Sequence, residues 1–424
     1  MTTMPTLVQN RYIVVSADMH AGAAVYDYKP YLDSKWHDEF ESWAQSYYDP
    51  WYDLDPGDSP IKAGVASGAS SVNWDSPRRI ADLNQDGIAG EVIFPNTAPP
   101  FFPSGVLTAY SPASREDYER RFAGVKAHNR WMADFCKDAA ERRAGVGQIF
   151  VNDIDDAVAE IKYIAEAGLR GGVLLPLVEP GAQLPPFYDP RYEPVWATCE
   201  EYDVTINHHS TATGPTNVGV GPGLAANALI ESNFWPRRLL WQSIFAGVFA
   251  RYPQLRVVLT EIQAGWVAAQ LRILDGIYQA GVEKNWDVGK FVAEAVDGMT
   301  MSPTEYFHRN FYICASFMLP VDADVHKTIG DRVMWGADYP HSEGTFPWSR
   351  EALRATFSAV PPETTARMIG GTAAEVYSFD LDKLAPIAAE IGPTVDEVRT
   401  PLVDRPKVPE QSRCAVFIPG YPGF

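Results

Sequence analysis

RVMWGADYPHSEGTFP, residues 332–347, is the stretch from which the chain is best read. The apolar run Arg332–Asp338 reads as a buried strand that ends abruptly in Asp338, with His341 and Glu343 close behind. Pro and Gly then supply turn chemistry. Three side chains able to hold a metal or move a proton, set at the mouth of a strand, point to a functional site. Taken alone, a strand exit with a capping Asp accounts for them equally well.

Seven further runs read as strands: Tyr12–Asp18, Glu91–Pro95, Val146–Val151, Gly172–Pro176, Val204–His208, Arg256–Glu261 and Phe311–Ser316. Helix-compatible segments separate most of them: Pro77–Gln85, Arg115–Glu141, Ile154–Ala167, Pro190–Tyr202, Pro236–Arg251 and Gln263–Tyr278. Alternating strands and helices predict an α/β fold, and eight strands predict a (β/α)8 TIM barrel. Several strands end on a polar residue: Asp18, His208, Glu261, Ser316 and Asp338. A barrel gathers such ends at one rim, the C-terminal face where barrel active sites lie.

Two regions fall outside this pattern. A long insertion after the first strand, residues 21–76, is rich in Trp, Tyr, Asp and Pro and is placed to cap the mouth or meet a partner. A Gly-, Thr- and Asn-rich stretch, residues 211–232, has the composition of an active-site loop. We therefore expect a barrel domain over residues 1–380. The Pro-bearing tail, 381–424, is expected to pack on the barrel or on a neighbouring subunit.

The net charge of −19 argues against nucleic acid and against an anionic membrane surface as partners. No apolar run approaches the length of a membrane span. Cys136, Cys199, Cys314 and Cys414 show no CxxC spacing and no disulfide framework. With no signal-peptide pattern in the first residues, a reducing cytoplasm is the expected location.

Asp18-x-His20 can present two ligands on one side of an extended chain. In Asn207-His208-His209-Ser210, His208 ends the strand and is the candidate ligand, leaving His209 for proton transfer or substrate. Glu261, at the end of a buried strand, carries a desolvation penalty unless it is paired or on a metal, and it is a candidate ligand or general base. Asp338 completes a metal set of Asp18, His20, His208 and Asp338, with Glu261 and His341 available to extend it. Asp338, Glu261 and His209 are the candidates for catalysis. Glu343, Asn96 and Trp235 are the candidates for substrate contact, and Trp51, Phe101, Phe102 and Trp235 would suit a planar substrate. His37, His128, His308 and His326 read as structural or surface histidines.

The chain resembles the amidohydrolase-related branch of the metal-dependent hydrolase superfamily, which includes aminocarboxymuconate semialdehyde decarboxylase and the resorcylate-type decarboxylases. The matching pieces are SADMHAG from Ser16, NHHS from Asn207, LTEIQAGW from Leu259 and MWGADYPHSEGTFP from Met334. The resemblance implies a distorted barrel with a divalent metal on Asp18, His20, His208 and Asp338. Two positions depart from the family pattern: its usual HxH is Asp18-Met-His20, and its frequent strand-six His is Glu261. More carboxylate favours manganese or iron over zinc. The insertion, WDSPRRIADL and NTAPPFFP are also similar to a subset of dinuclear-metal oxygenases, one of which hydroxylates 2-aminoisobutyrate as two paralogous subunits.

The resemblance thus implies a metal-dependent enzyme acting on a small carboxylate-bearing or aromatic substrate by hydrolysis or non-oxidative decarboxylation. Its alternatives are a dinuclear oxygenase subunit and a non-catalytic metal-containing paralogue. A homo-oligomer, or a hetero-oligomer with a paralogous subunit, is expected from the family.

Overall fold

The computed structural model describes residues 6–47, 69–96, 99–103, 111–176, 178, 184–210, 221–284, 286–341, 343–407 and 414–418. Trp51 and residues 211–220, to which the sequence directed attention, lie outside these. A two-stranded hairpin, β1 (Leu7–Val8) and β2 (Arg11–Tyr12), precedes the barrel. Eight parallel strands follow in consecutive order: β3 (Val14–Ala21), β4 (Ile88–Pro95), β5 (Arg143–Gln148), β6 (Gly172–Leu174), β7 (Ile206–His209), β8 (Val257–Thr260), β9 (Phe311–Cys314) and β10 (Val333–Met334). All eight expected strands are present, and the fold is a (β/α)8 barrel.

The barrel closes where the first and last strands meet. Ala17 N donates to Trp335 O at 3.0 Å, Asp338 N to Asp18 O at 2.9 Å and His20 N to Tyr339 O at 2.7 Å. A Cβ on Gly336 would lie 2.5 Å from the Cβ of Asp18, so only glycine permits this approach.

Strand alternation sorts the core into two layers. Val15, Ala17, Val92, Phe94, Ala144, Val146, Leu174, Val258, Tyr312, Cys314 and Met334 pack together and fill the barrel. Val14, Met19, Ile93, Val173, Ile206, Val257, Leu259, Ile313 and Val333 pack outward with helix residues such as Ile161, Trp196, Leu239 and Ile244. In β3 the register slips between Ser16 and Met19, with three residues opposing the two-residue step Glu91–Ile93. This bulge reverses the alternation. Met19, which a regular strand would place inside with Ala17, joins the outer layer.

The described part of the tail is partly helical. Leu381–Ile391 is a helix capped by Asp380, and Val395–Arg399 is a second, closed by a Thr394/Glu397 capping box. Leu384 and Ala388 are buried in the inner layer. Their helical spacing was masked in the sequence by Pro386 and Pro393. Among the described residues no helix is long and apolar enough to cross a membrane.

Leu384→Ala is expected to destabilise the fold by about 2–5 kcal/mol, the usual cost of truncating a buried Leu. A lowered urea midpoint would show it, and an unchanged midpoint would mean that this helix does not seal the barrel.

Candidate metal centre

Two in-strand sources and three strand exits build the site. The β3 bulge turns Asp18 and His20 to the same face. In β7, Asn207 and His209 face inward, with Asn207 accepting from the inner-layer Tyr377 hydroxyl at 2.8 Å, while Ile206 and His208 face outward. Glu261 after β8, Ser316 after β9 and Asp338 after β10 each take a left-handed backbone, φ 58°, 50° and 57°. Left-handed non-glycine residues cost about 1–2 kcal/mol each, and such strain gathers at functional sites.

His20 Nε2 lies 3.3 Å from Asp18 Oδ1 and 3.2 Å from Asp338 Oδ1. His209 Nε2 lies 3.3 Å from Asp18 Oδ1, and His341 Nδ1 lies 2.9 Å from Asp338 Oδ1. The His20 and His341 rings stack with centroids 4.1 Å apart. Ligand-capable atoms converge in three overlapping sets, each within 4.8 Å: Asp18/His20/His209, His20/Asp338/His341 and Glu261/Asp338/Glu343. Asp18 and Asp338 are wholly buried, and the Glu261 side chain is 15% exposed, so the set opens toward its outer edge.

Hydrogen bonding tests whether these groups suit a cation. His209 Nδ1 donates to Ser210 O at 2.7 Å, and His20 Nδ1 faces Pro95 O at 3.5 Å. A carbonyl only accepts, so each ring carries a proton on Nδ1 and presents Nε2 to the carboxylates, as a donor while the ring is cationic and as a lone pair once it is neutral. A backbone carbonyl on the second ring nitrogen is the usual support of a metal-bound histidine. Neither buried oxygen of Asp338, nor His20 Nε2, takes part in a well-directed hydrogen bond among the described residues. Lone pairs facing one another at 3.2–3.3 Å need a proton or a cation between them. The mixed nitrogen and oxygen donors fit a divalent metal such as manganese, iron or zinc.

The electrostatics agree. Burial would raise the Asp18 carboxyl, but His209 and His20 hold it well below the usual range. Burial likewise opposes ionisation of Asp338, which His341 and His20 keep low. Burial lowers His20 and His209, yet their carboxylate neighbours push both up to about 9. Burial and the Asp338 charge push Glu261 up to about 7.

His208, the ligand named from the sequence, is not part of these sets. Its Nδ1 donates to Pro236 O at 3.0 Å, its ring packs near Phe187, and burial drops it to about 4. Alternation sends only every second side chain inward, so it is His209 and not His208 that faces these sets. Asn96 Oδ1 meets His341 Nε2 at 2.9 Å, and Asn96 Nδ2 donates to Asn73 Oδ1. Trp235 lies under Arg238, 4.0 Å from ring centroid to guanidinium, outside the three sets. Phe101 packs with Trp36, Phe40 and Trp43 of the insertion, and Phe102 with Phe150. Two hydroxyls to which the sequence reading gave no role support the acids: Ser316 Oγ, itself at a strand end, donates to Asp18 Oδ2 and Ser210 Oγ to Glu261 Oε2, each at 2.5 Å. Their place beside strand-end acids was the available signal.

The sequence profile of the amidohydrolase family matches residues 78–379, most of the chain. The chain belongs to that family. No curated protein matches the sequence significantly. Among solved structures, the chain is similar to the 5-carboxyvanillate decarboxylase of Sphingomonas paucimobilis, with TM-score 0.60 and 18% identity over 87% of this chain and 99% of the other. It is similar to the Novosphingobium aromaticivorans enzyme of that name, solved with manganese and a nitrobenzoic acid, with TM-score 0.61 and 17% identity over 87% and 98%. A third likeness is to 2,6-dihydroxybenzoate decarboxylase from Rhizobium, with TM-score 0.58 and 15% identity over 87% and 99%. At these identities the likeness establishes the shared barrel.

His209→Ala should weaken manganese binding by more than about 100-fold, beyond the usual loss of a supporting residue, while His208→Ala should leave it intact. Titration of metal-free protein with Mn²⁺ separates the two, and the reverse ranking would return His208 to the ligand set. His20 and His209 hold protons at pH 7 in the metal-free protein, so binding there should release about two protons, measurable by calorimetry in buffers of different ionisation enthalpy. Affinity should therefore rise with pH and level off near 9.

Proposed function

We propose that the chain is a metal-dependent enzyme that removes a carboxylate from a small aromatic acid without oxidation. The observation that carries this is the wholly buried Asp338 carboxylate, without a well-directed hydrogen bond, facing His20 and His341 at the C-terminal rim of the barrel. Asp18, His20, His209 and Asp338 would hold the cation, with His341 beside them. The bound cation supplies a Lewis acid for substrate oxygen. Three solved structures of similar fold carry the names of aromatic-acid decarboxylases, which supports decarboxylation over hydrolysis.

Loss of CO2 breaks a C–C bond and leaves a carbon that needs a proton. Glu261 is placed to provide it, since its carboxyl is partly open to the mouth and held by Ser210. Glu343, half-buried like Glu261, and the strand-end loops would meet the substrate. Four free, buried cysteines suit a cytoplasmic enzyme. Phe291, 88% exposed, and nearby Ile273, Trp286 and Val288 supply an apolar face suited to a second copy or a paralogous subunit.

A second reading, a dinuclear oxygenase subunit, is favoured by the Glu261/Asp338/Glu343 set, which offers oxygen donors beside the first cation position. Metal analysis of protein purified without added metal decides between them. One cation per chain supports decarboxylation, and manganese with iron at two per chain supports the oxygenase.

Manganese-loaded protein should release CO2 from hydroxylated benzoic acids, and a chelator should abolish the release. Glu261→Gln should lower kcat by about 10²–10⁴-fold while manganese binding persists. Full turnover in that variant would remove Glu261 from the reaction.

A further inference from the structure

The helix Ser76–Asp86 faces the barrel with an unusual stripe. It starts at the Asp75 cap, with Pro77 in the first turn, and stops at left-handed Gly87. Arg79, Asp82, Leu83 and Asp86 stand at the i, i+3, i+4, i+7 spacing that normally carries apolar residues into a core. Three of the four are ionisable, and Arg79 and Asp86 are buried, Asp86 with its carboxyl pushed up to about 7 by burial. Buried charge is retained only where it is paired, and each of these three has a partner at the seam between β3 and β10 or at the loop that leaves it.

Arg79 Nη1 donates to the backbone carbonyl of His20 at 2.7 Å. Its guanidinium lies 4.9 Å from the ring centroid of Tyr339, the residue after Asp338. Its Nε donates to Glu91 Oε2 at 2.8 Å, and Arg143 Nε faces the same carboxylate at 3.2 Å. Tyr339 donates its hydroxyl to Asp82 Oδ2 at 2.6 Å, and its carbonyl takes the His20 N–H at 2.7 Å. Farther along, Asp86 accepts from Ser349 Oγ at 2.5 Å, and Ser349 Oγ meets Thr345 Oγ1 at 2.6 Å. Thr345 N then returns to Ala337 O at 2.8 Å. The His20 peptide is thus held from both sides. The two chain segments that carry His20 and Asp338 are bound to one helix.

We infer that Arg79 is a positioning residue of the metal centre, acting with Asp82 and Tyr339 to fix the His20 and Asp338 segments across the barrel seam. The inference rests on the assignment of His20 and Asp338 as ligands. Arg79 meets the donor sets only through the His20 carbonyl and the Tyr339 ring. Its guanidinium meets His20 O, Glu91 and the Tyr339 ring at once, which a lysine ammonium cannot do.

The test compares Mn²⁺ affinity and the Mn²⁺ electron paramagnetic resonance spectrum in the full chain and three variants. Arg79→Lys should bind Mn²⁺ about 10–100-fold more weakly with an altered spectrum, the usual consequence of losing support behind a ligand. Arg143→Lys breaks the other half of the same buried Glu91 pair, but Arg143 Nη1 donates to Phe135 O, away from the ligands. It should lower thermal stability and leave affinity and spectrum unchanged. Tyr339→Phe removes one hydroxyl from a folded core and should weaken binding in the same direction as Arg79→Lys, which decides the matter if Arg79→Lys does not fold. Equal losses in the Arg79 and Arg143 variants, or unchanged binding in Tyr339→Phe with Arg79→Lys unfolded or unaltered, would overturn the inference. Failure of the unaltered protein to bind Mn²⁺ would instead overturn the metal assignment, and the positioning role with it.

Discussion

Two carboxylates, Asp18 and Asp338, are wholly buried on either side of the barrel seam, joined by a backbone hydrogen bond of 2.9 Å. Each buried ion costs several kcal/mol unless it is compensated, and like charges at close quarters add to that. The surrounding structure supplies the compensation. His20 stands between the two, His209 serves Asp18, His341 serves Asp338, and Ser316 takes the second oxygen of Asp18. The seam brings these acids together because the last strand must return beside the first, and Gly336 allows that return without a Cβ in the way. Closure of the barrel and assembly of the site are one event. A mispaired seam would leave the acids uncompensated.

Much of this was legible in the sequence. Eight apolar runs gave the barrel, their polar ends gave Asp18, Glu261, Ser316 and Asp338, and the Asp18-x-His20 spacing gave His20. The choice between His208 and His209 was not legible. Adjacent histidines always face opposite ways in a strand, and which faces inward depends on a register set by neighbouring strands. The β3 bulge is hidden for the same reason, since an extra residue leaves no mark in composition. The tail helix was obscured by Pro386 and Pro393, although Leu381, Leu384 and Ala388 carried its spacing. Asn96, read as a substrate contact, bridges His341 and Asn73, and only the fold could place Asn73 beside it.

The site divides into a rigid half and an adjustable half. Asp18, His20 and His209 sit within strands, where the ladder fixes their backbones and, for the two histidines, backbone carbonyls orient the rings. Glu261, Asp338, His341 and Glu343 sit beyond strand ends, on backbone that bends left-handed at Glu261 and Asp338. Burial does not divide the same way, since Asp338 is as wholly enclosed as Asp18 and Glu261 is partly exposed. A cation at such a centre would be held chiefly through the fixed half, because preorganised donors lose little freedom on binding. Groups that must change partner or protonation during a reaction belong in the half that lies beyond the strand ladder. Asp338 belongs to both. It leaves the barrel on strained backbone, yet its N–H is tied to Asp18 and the residue after it to the helix carrying Arg79. The polar stripe of that helix therefore falls where the fixed half meets the adjustable one, at the buried acid beyond the two-residue strand Val333–Met334.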